Sequence, residues 1–444
     1  MAEVIVDSVT RVKLEDLPLQ LRQKLLNKFT LPNKTYYILQ KMGKKARVPK
    51  TIICYVLTRE YLLLPRFSYV LLQSLGFKVK EQFAEGEAAV FGKLNYELRD
   101  YQVEALEAAL AAGFGVITMP PGAGKTITGV SLIRELGRTA VWLAHTRELC
   151  DQAVEQLSTI GKVCPYYKTK RIRGEPIIVT TVQSLYSGVP PEIEDAGVVI
   201  LDEAHHAPAR TFVEVLSQLR ARYKFGLTAT PKRSDGLTPL MNWTLGPIIY
   251  KLAHDQLQER GQLVAPKVVK VDTGVLPLFA EDYTQLVNLL CAHEHRNKLI
   301  IKTIAEHARH YCLVCCARIS HCNTLYKMLK EKYPDISAAV LTSKVPVKIR
   351  EKIMERWRDR KINVVFATTI AEEGLDVKHL DRLFLVYPLK PGRRLTQAVG
   401  RVMRPAGGKK DAIVFDFVDP QLQGLFERRC TAYQKIGCEI DHSC

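Results

Sequence analysis

Short apolar runs alternate with longer stretches of helical periodicity from residue 94 to about residue 266. FGVITM (114–119), AVWLAH (140–145), IIVTT (177–181), GVVILDE (197–203) and KFGLTAT (224–230) are β-branched and almost unbroken in apolarity. That is the pattern of strands covered on both faces of a parallel sheet. A second series follows from about residue 267: YCLVCCA (311–317), AAVLTS (338–343), NVVFATT (363–369), RLFLVY (382–387) and AIVFDF (412–417). Helical stretches separate the runs, so the spacing predicts two tandem α/β domains, each a doubly wound parallel sheet.

The first 93 residues read differently. Residues 19–29 have apolar positions at helical spacing, and KMGKKARVPK (41–50) is too polar for a core and contains a Gly and a Pro. It reads as an exposed basic loop. TIICYVL (51–57) and YLLLP (61–65) read as a hairpin. The expected organisation is a small N-terminal α+β accessory domain over 1–93, then α/β domains over 94–265 and 266–444.

Charge sharpens the picture. The 444 residues carry 64 Lys and Arg against 46 Asp and Glu, a net +18, and the first 93 residues hold 16 of these bases and only 8 of the acids. Such an excess favours a polyanionic partner, nucleic acid before an anionic membrane. No basic amphipathic helix with bulky apolar anchors supports a membrane role, and no apolar run reaches the ~18 residues of a membrane span. The acidic start MAEVIVDSV lacks the basic n-region of a signal peptide. The expected location is the cytoplasm, nucleoid-associated, or the host cytoplasm for a viral chain. Hydrophobic residues at 47% and charged residues at 25% exclude a disordered or fibrous chain. The 11 cysteines are expected reduced and mostly buried. For Lys44, Lys45 and Arg47 in the basic loop, phosphate contact and a solvated linker are both open readings.

Two motifs carry chemistry. MPPGAGKT (119–126) lies between a strand-like run and a helical one, the setting of a phosphate-binding loop. There Pro121, Gly122, Ala123 and Gly124 shape a backbone cradle, Lys125 reaches the β/γ-phosphates of ATP, and the Thr126 hydroxyl suits Mg²⁺. VVILDEAHH (198–206) ends a buried run with paired carboxylates. Asp202 would face Mg²⁺, and Glu203 would act as general base toward the attacking water. His205 and His206 have no nearby Cys or His at zinc-ligand spacing.

With these motifs in place, the chain closely resembles the superfamily 2 helicases and translocases, whose motifs occur here in family order over about residues 94–419. That resemblance implies two RecA-like domains. It implies that ELRDYQ (97–102) reads adenine through Gln102, supported by Arg99. AHTRELCDQA (144–153) and VTTVQSL (179–185) would lie on nucleic acid, with Thr146, Arg147, Thr181 and Gln183 as contacts. Thr228 and Thr230 in LTATP would couple hydrolysis to movement. LVCCARISHCNTL (313–325) resembles motif IV. In ATTIAEEGLDV (367–377), Gly374 and Asp376 would face the nucleotide and Thr368 the strand. In QAVGRVMRP (397–405), Gln397 belongs to the motif, and Arg401 and Arg404 would act as arginine fingers.

PKRSDGL (231–237) and HRNKLI (295–300) resemble the XPB/UvsW-like branch, with Ser234 where that branch has an acid. The run from Leu31 to Arg66 resembles the small domain that precedes the motor in phage and bacterial relatives, with Phe67 where they have Gly. The branch implies an ATP-dependent DNA helicase or translocase acting on branched DNA in repair, recombination or branch migration, with a nuclease or repair protein as partner. Two alternatives stay open: an ATP-gated remodelling module of a larger complex that unwinds little itself, and an RNA helicase. A kinase or GTPase would explain the phosphate loop but not QAVGRVMRP. Cys312, Cys315, Cys316, His321 and Cys322 include CxxC spacing, but alternate residues of a strand point to opposite faces, which disfavours zinc. Trp142 reads as core rather than a base-stacking platform. The basic helical run 344–363 reads as a solvated face with Ile349, Ile353 and Trp357 turned to the core.

Overall fold

The computed structural model describes residues 2–43, 45, 47–204, 214–229, 237–253, 256–257, 264–275, 278–368, 377–406, 409 and 411–441. Two compact units divide the chain: Met1–Met119 with Gly124–Leu252, and Ala253–Cys444 with Pro120–Ala123.

The N-terminal part contains β1 (Glu3–Val6), β2 (Val9–Lys13), β3 (Thr30–Pro32), β4 (Thr51–Ile53), β5 (Val56–Leu57), β6 (Tyr61–Pro65) and β7 (Lys78–Glu81). Five of these form a sheet in the order β5-β6-β2-β1-β7, and β3 pairs with β4 apart from it. Val4, Val6, Val12, Leu62 and Leu64 alternate into its core, as the two-residue period of a strand requires. The expected hairpin of 51–57 with 61–65 is only partly formed. Val56 and Leu57 pair with Leu63 and Leu62, but Ile52 pairs with Leu31. The break falls at Cys54, a buried residue whose N–H donates to the Phe29 carbonyl at 2.9 Å.

The first large sheet contains β8 (Phe114–Thr118), β9 (Ala140–Ala144), β10 (Val163–Pro165), β11 (Ile177–Thr181), β12 (Val198–Asp202), β13 (Tyr223–Thr228) and β14 (Ile248–Lys251). All are parallel, in the order β10-β11-β9-β12-β13-β8-β14. The second unit contains β15 (Lys267–Asp272), β16 (Cys312–Cys316), β17 (Ala338–Leu341), β18 (Val364–Thr368), β19 (Arg382–Leu385), β20 (Ile413–Val418) and β21 (Glu439–Asp441). Its parallel sheet runs β17-β18-β16-β19-β20-β15-β21. The sheets share one winding, place by place: β11 and β18 stand second, β9 and β16 third. The ten apolar runs all lie on strands. Four of the described strands, β10, β14, β15 and β21, are not among these runs: β10 and β21 are only three residues long, β14 is a four-residue edge strand, and in the interior strand β15 the charged Lys267, Lys270 and Asp272 break the apolar pattern.

Within the first unit the N-terminal lobe is fixed to the large sheet. Arg66, 1% exposed, donates to the carbonyls of Ala221 and Arg222, the latter at 2.8 Å. Its guanidinium lies 4.1 Å from the centre of the Phe83 ring. Residues 84–92 then run along the N-terminal ends of the strands. Ala84 bridges Ala221, the Thr139 N–H donates to Glu87, and the Gly92 N–H donates to Ile160. At Gly197 a Cβ would stand 2.1 Å from the Glu85 carbonyl oxygen, so only glycine admits this strap. The lobe is thus anchored at the edge of the sheet opposite the motif-bearing strand ends.

In the second unit the HRNKLI run has a structural role. Arg296 is fully buried and holds Asp419 through two bonds of 2.8 and 3.2 Å. Asn297 donates from Nδ2 to the Cys291 carbonyl at 2.9 Å, which leaves its Oδ1 to accept from His321 Nε2 at 3.0 Å. The helix Val347–Arg358 buries Trp357, but Ile349 is 50% exposed. The expectation of Ile349 as core is therefore corrected: it lies exposed in the first turn of the helix.

Candidate nucleotide and nucleic-acid site

The sheet order brings the nucleotide motifs together. β12, β13 and β8 are consecutive neighbours, so their C-terminal ends place Asp202, Thr228 and the phosphate loop side by side. The loop is tied to β13 by the Met119 N–H donating to the Thr228 carbonyl at 3.0 Å. Just beyond β12, the Ala204 N–H donates to the Leu227 carbonyl at 3.0 Å. Both bonds link the ends of β8 and β12 to the strand that carries LTATP.

The loop itself turns through Gly122 at φ +86° and Gly124 at φ +81°, a region side chains rarely adopt. Gly124 is the N-cap of the helix Lys125–Leu136 and offers no side chain to cap it. The first-turn N–H groups therefore remain available to an anion. Gln102 lies directly against this turn: a Cβ on Gly124 would fall 2.3 Å from Gln102 Nε2. Arg99 and Gln102 form the N-terminal cap of the helix Asp100–Ala112, with Arg99 N–H donating to Gln102 Oε1 at 3.0 Å. Arg99 also donates to the Tyr101 hydroxyl at 2.7 Å. The pair expected to read adenine thus sits beside the phosphate loop.

Glu203 has φ +47°, a left-handed conformation that disfavours a side chain by roughly 1–2 kcal/mol. Its carboxylate stands 3.6 Å from Lys125 Nζ. The Asp202 carboxyl is buried, and Glu203 N–H donates to it at 2.9 Å. Burial pushes Asp202 up to about 7; the neighbouring Glu203 adds to this and Lys125 opposes it. A carboxyl pushed up by burial and by the adjacent Glu203 is suited to a hard divalent cation, and Thr126 adds a hydroxyl oxygen. The residues therefore fit Mg²⁺ on a nucleotide, which would supply charge neutralisation at the phosphates.

The expected strand contacts occupy the neighbouring ends. Thr146 and Arg147 follow β9, Thr181 ends β11 and Gln183 follows it. Thr146 caps the helix Arg147–Leu157 by accepting from Leu149 N–H at 3.3 Å. Thr181 similarly accepts from Ser184 N–H at 3.2 Å. Arg147 and Gln183 are exposed. In the second sheet, Thr368 ends β18, the strand that corresponds in order to β11. Gln397 and Arg401 lie on the helix Arg393–Val402, with Arg404 in the turn after it. Lys45 and Arg47 are exposed. Lys44, Thr230, Gly374 and Asp376 lie outside the described residues, as do His205, His206 and most of PKRSDGL.

The cysteines of LVCCARISHC are core: Cys312, Cys315 and Cys316 are buried along β16. Among the described residues no group of three or more His, Cys, Asp or Glu is placed to hold a metal ion. Trp142 is fully buried in β9. Among the described residues no helix is long and apolar enough to cross a membrane.

Sequence reasoning passed over Lys409. Its ammonium donates to the carbonyls of Leu380 at 2.6 Å, Arg404 at 2.9 Å and Val402. It thereby caps the end of the helix bearing Arg401 and the turn bearing Arg404. Burial draws this lysine down to about 8. No local pattern marks it, because all three acceptors are backbone groups distributed over two elements.

The family described as "Type III restriction enzyme, res subunit" matches residues 95–233, and the "Helicase conserved C-terminal domain" matches 295–406. The DNA 3′–5′ helicase XPB of Kineococcus radiotolerans is 25% identical over 356 residues, 76% of this chain and 62% of that protein. The DNA 3′–5′ translocase XPB2 of Sulfurisphaera tokodaii is 25% identical over 370 residues, 72% of this chain and 81% of that protein. Among solved structures, S. cerevisiae Dbp5 bound to RNA and ADP BeF3 has the same fold, with a TM-score of 0.54, 14% identity, and coverage of 77% of this chain and 88% of that one. Tandem RecA-like sheets, the motif-bearing strand ends, the two domain models and these XPB-type relatives agree: the chain belongs to the ATP-hydrolysing superfamily 2 helicases and translocases, in their XPB-like branch.

Proposed function

We propose that this chain is an ATP-driven DNA helicase or translocase that remodels branched DNA, working in repair or recombination with a nuclease or repair partner in the cytoplasm. The observation that carries the reading is the cluster at the end of β12. There a backbone-strained Glu203 faces Lys125 beside the buried Asp202.

In this reading Gln102 and Arg99 select adenine, and the N–H groups around Gly122 and Gly124 receive the phosphates. Lys125 neutralises the β/γ-phosphates, while Thr126 and Asp202 hold Mg²⁺. Glu203 orients the attacking water and accepts its proton. Arg401 and Arg404, with Gln397, Gly374 and Asp376, complete the charge at the transition state from the domain at 266–444. Thr228 and Thr230 pass the state of the nucleotide to the strand contacts at Thr146, Arg147, Thr181, Gln183 and Thr368. ATP favours the closed arrangement and hydrolysis releases it, so a bound strand shifts by differential affinity. The domain at 1–93, through Lys44, Lys45 and Arg47, adds a second phosphate contact. The surplus of 18 positive charges supports a nucleic-acid partner.

ATP hydrolysis and strand separation on a forked DNA and a flush duplex test this directly. Lys125→Ala and Glu203→Gln are expected to abolish turnover, with Glu203→Gln still binding ATP. Turnover near wild type in either variant overturns the assignment. DNA-stimulated hydrolysis without separation of either substrate would favour a translocase module that needs a partner.

A further inference from the structure

Between Leu17 and Arg59 the chain has ten Lys and Arg and no acidic residue. The helix Lys34–Lys41 lies within this stretch and has no buried residue. It is nonetheless a formed helix, capped by Asn33, whose side chain accepts from Thr35 N–H at 3.1 Å. Ile38 is 56% exposed, Met42 61% and Tyr37 38%. Four-residue spacing aligns Lys34 with Ile38 and Met42, and Tyr37 with Lys41. The outer face is therefore a narrow apolar ridge edged by Lys34 and Lys41, with exposed Lys45 and Arg47 just beyond.

Single exposed apolar side chains need no explanation. Two on a helix with no fully buried residue and a third at its C-cap, inside an acid-free segment, are not accounted for by folding. The charge selects a polyanion, and the ridge selects a polyanion that also presents apolar faces. Nucleic acid combines phosphates with base faces, but in a flush duplex the faces are stacked away. They become available at forks and junctions, or where an apolar wedge opens a step. The lobe is anchored at the edge of the first sheet opposite the strand ends bearing Thr146 and Thr181. The ridge is thus a contact additional to those strand ends.

We propose that the Tyr37–Ile38–Met42 ridge engages unpaired or unstacked bases at a DNA junction while the surrounding lysines hold the flanking phosphates. This rests on the DNA-remodelling reading above and adds the chemistry by which the lobe distinguishes branched from plain DNA. Phosphate contacts alone are indifferent to that difference.

Fluorescence anisotropy of the full chain on a forked DNA and a flush duplex of the same sequence, over a salt series, tests it. The Tyr37→Ser, Ile38→Ser, Met42→Ser triple variant is expected to lose about tenfold in fork affinity and far less on the duplex. The Lys34→Gln, Lys41→Gln, Lys45→Gln, Arg47→Gln variant should weaken both, its salt slope falling by roughly 0.9 for each phosphate contact removed. Thermal unfolding of the triple variant should match wild type, because its three sites are exposed. A triple variant that keeps the fork preference, or that loses affinity equally on both DNAs, overturns this inference alone. A wild-type chain that binds neither DNA overturns the proposed function on which it rests.

Discussion

Glu203→Asn separates a strained functional residue from a structural one. Asparagine occupies the left-handed region more readily than glutamate. Relief of the φ +47° backbone should return up to about 1 kcal/mol. Against this stands the pair with Lys125 at 3.6 Å, whose two side chains are 10% and 16% exposed; such a pair contributes about 1 kcal/mol net once desolvation is counted. Removing the carboxylate also removes a repulsion that helps drive Asp202 up to about 7. The balance lies within about 1 kcal/mol of zero, a shift of roughly 2–4 °C in the unfolding midpoint of a unit this size. Turnover should meanwhile fall by about 10²–10⁴ with the general base gone. Thermal unfolding of the nucleotide-free chain and steady-state ATP hydrolysis read the two quantities separately. A loss of more than about 3 kcal/mol, on the scale of a buried network broken open, would refute the strain argument. Turnover within about tenfold of wild type would remove Glu203 as the base.

Two further predictions concern the scaffold. Arg66→Met leaves the carbonyls of Ala221 and Arg222 without their donor, at about 1–3 kcal/mol each. It also recovers the cost of a charge that burial draws down to about 10, so the net loss should be about 2 kcal/mol; it should appear as faster proteolysis within 82–93, and unchanged protection would refute it. His321 is held down to about 3, by burial first and the Arg296 charge second. As a base with a depressed folded value, it favours the native state above its ordinary range, and that contribution drains away as pH falls and the unfolded chain takes up the proton. The stability difference between wild type and His321→Gln should therefore shrink by up to about 1.4 kcal/mol per pH unit below about 6.5, and a constant difference in urea titrations from about pH 7 to pH 5 would exclude this role.

The sequence alone determined ten strands of the two large sheets, the parallel doubly wound class of those sheets, and which strand ends carry the chemistry. The reason is physical. A strand covered on both faces has to be apolar throughout, so β8, β9, β11, β12 and β13 announce themselves. A phosphate loop and a carboxylate pair must follow such strands directly. Tertiary structure decided what depends on distant partners or on backbone angle. The spelling DEAH does not reveal that Glu203 is forced to φ +47°, nor that burial pushes the Asp202 carboxyl up. The run 51–57 is apolar enough for one strand, yet a bond from Cys54 to Phe29 divides it between two sheets. Arg66 holds the Arg222 carbonyl and Lys409 the Leu380 carbonyl, both far away in sequence. Every residue type offers the same carbonyl, so no pattern of side chains could have foretold which ones they would find.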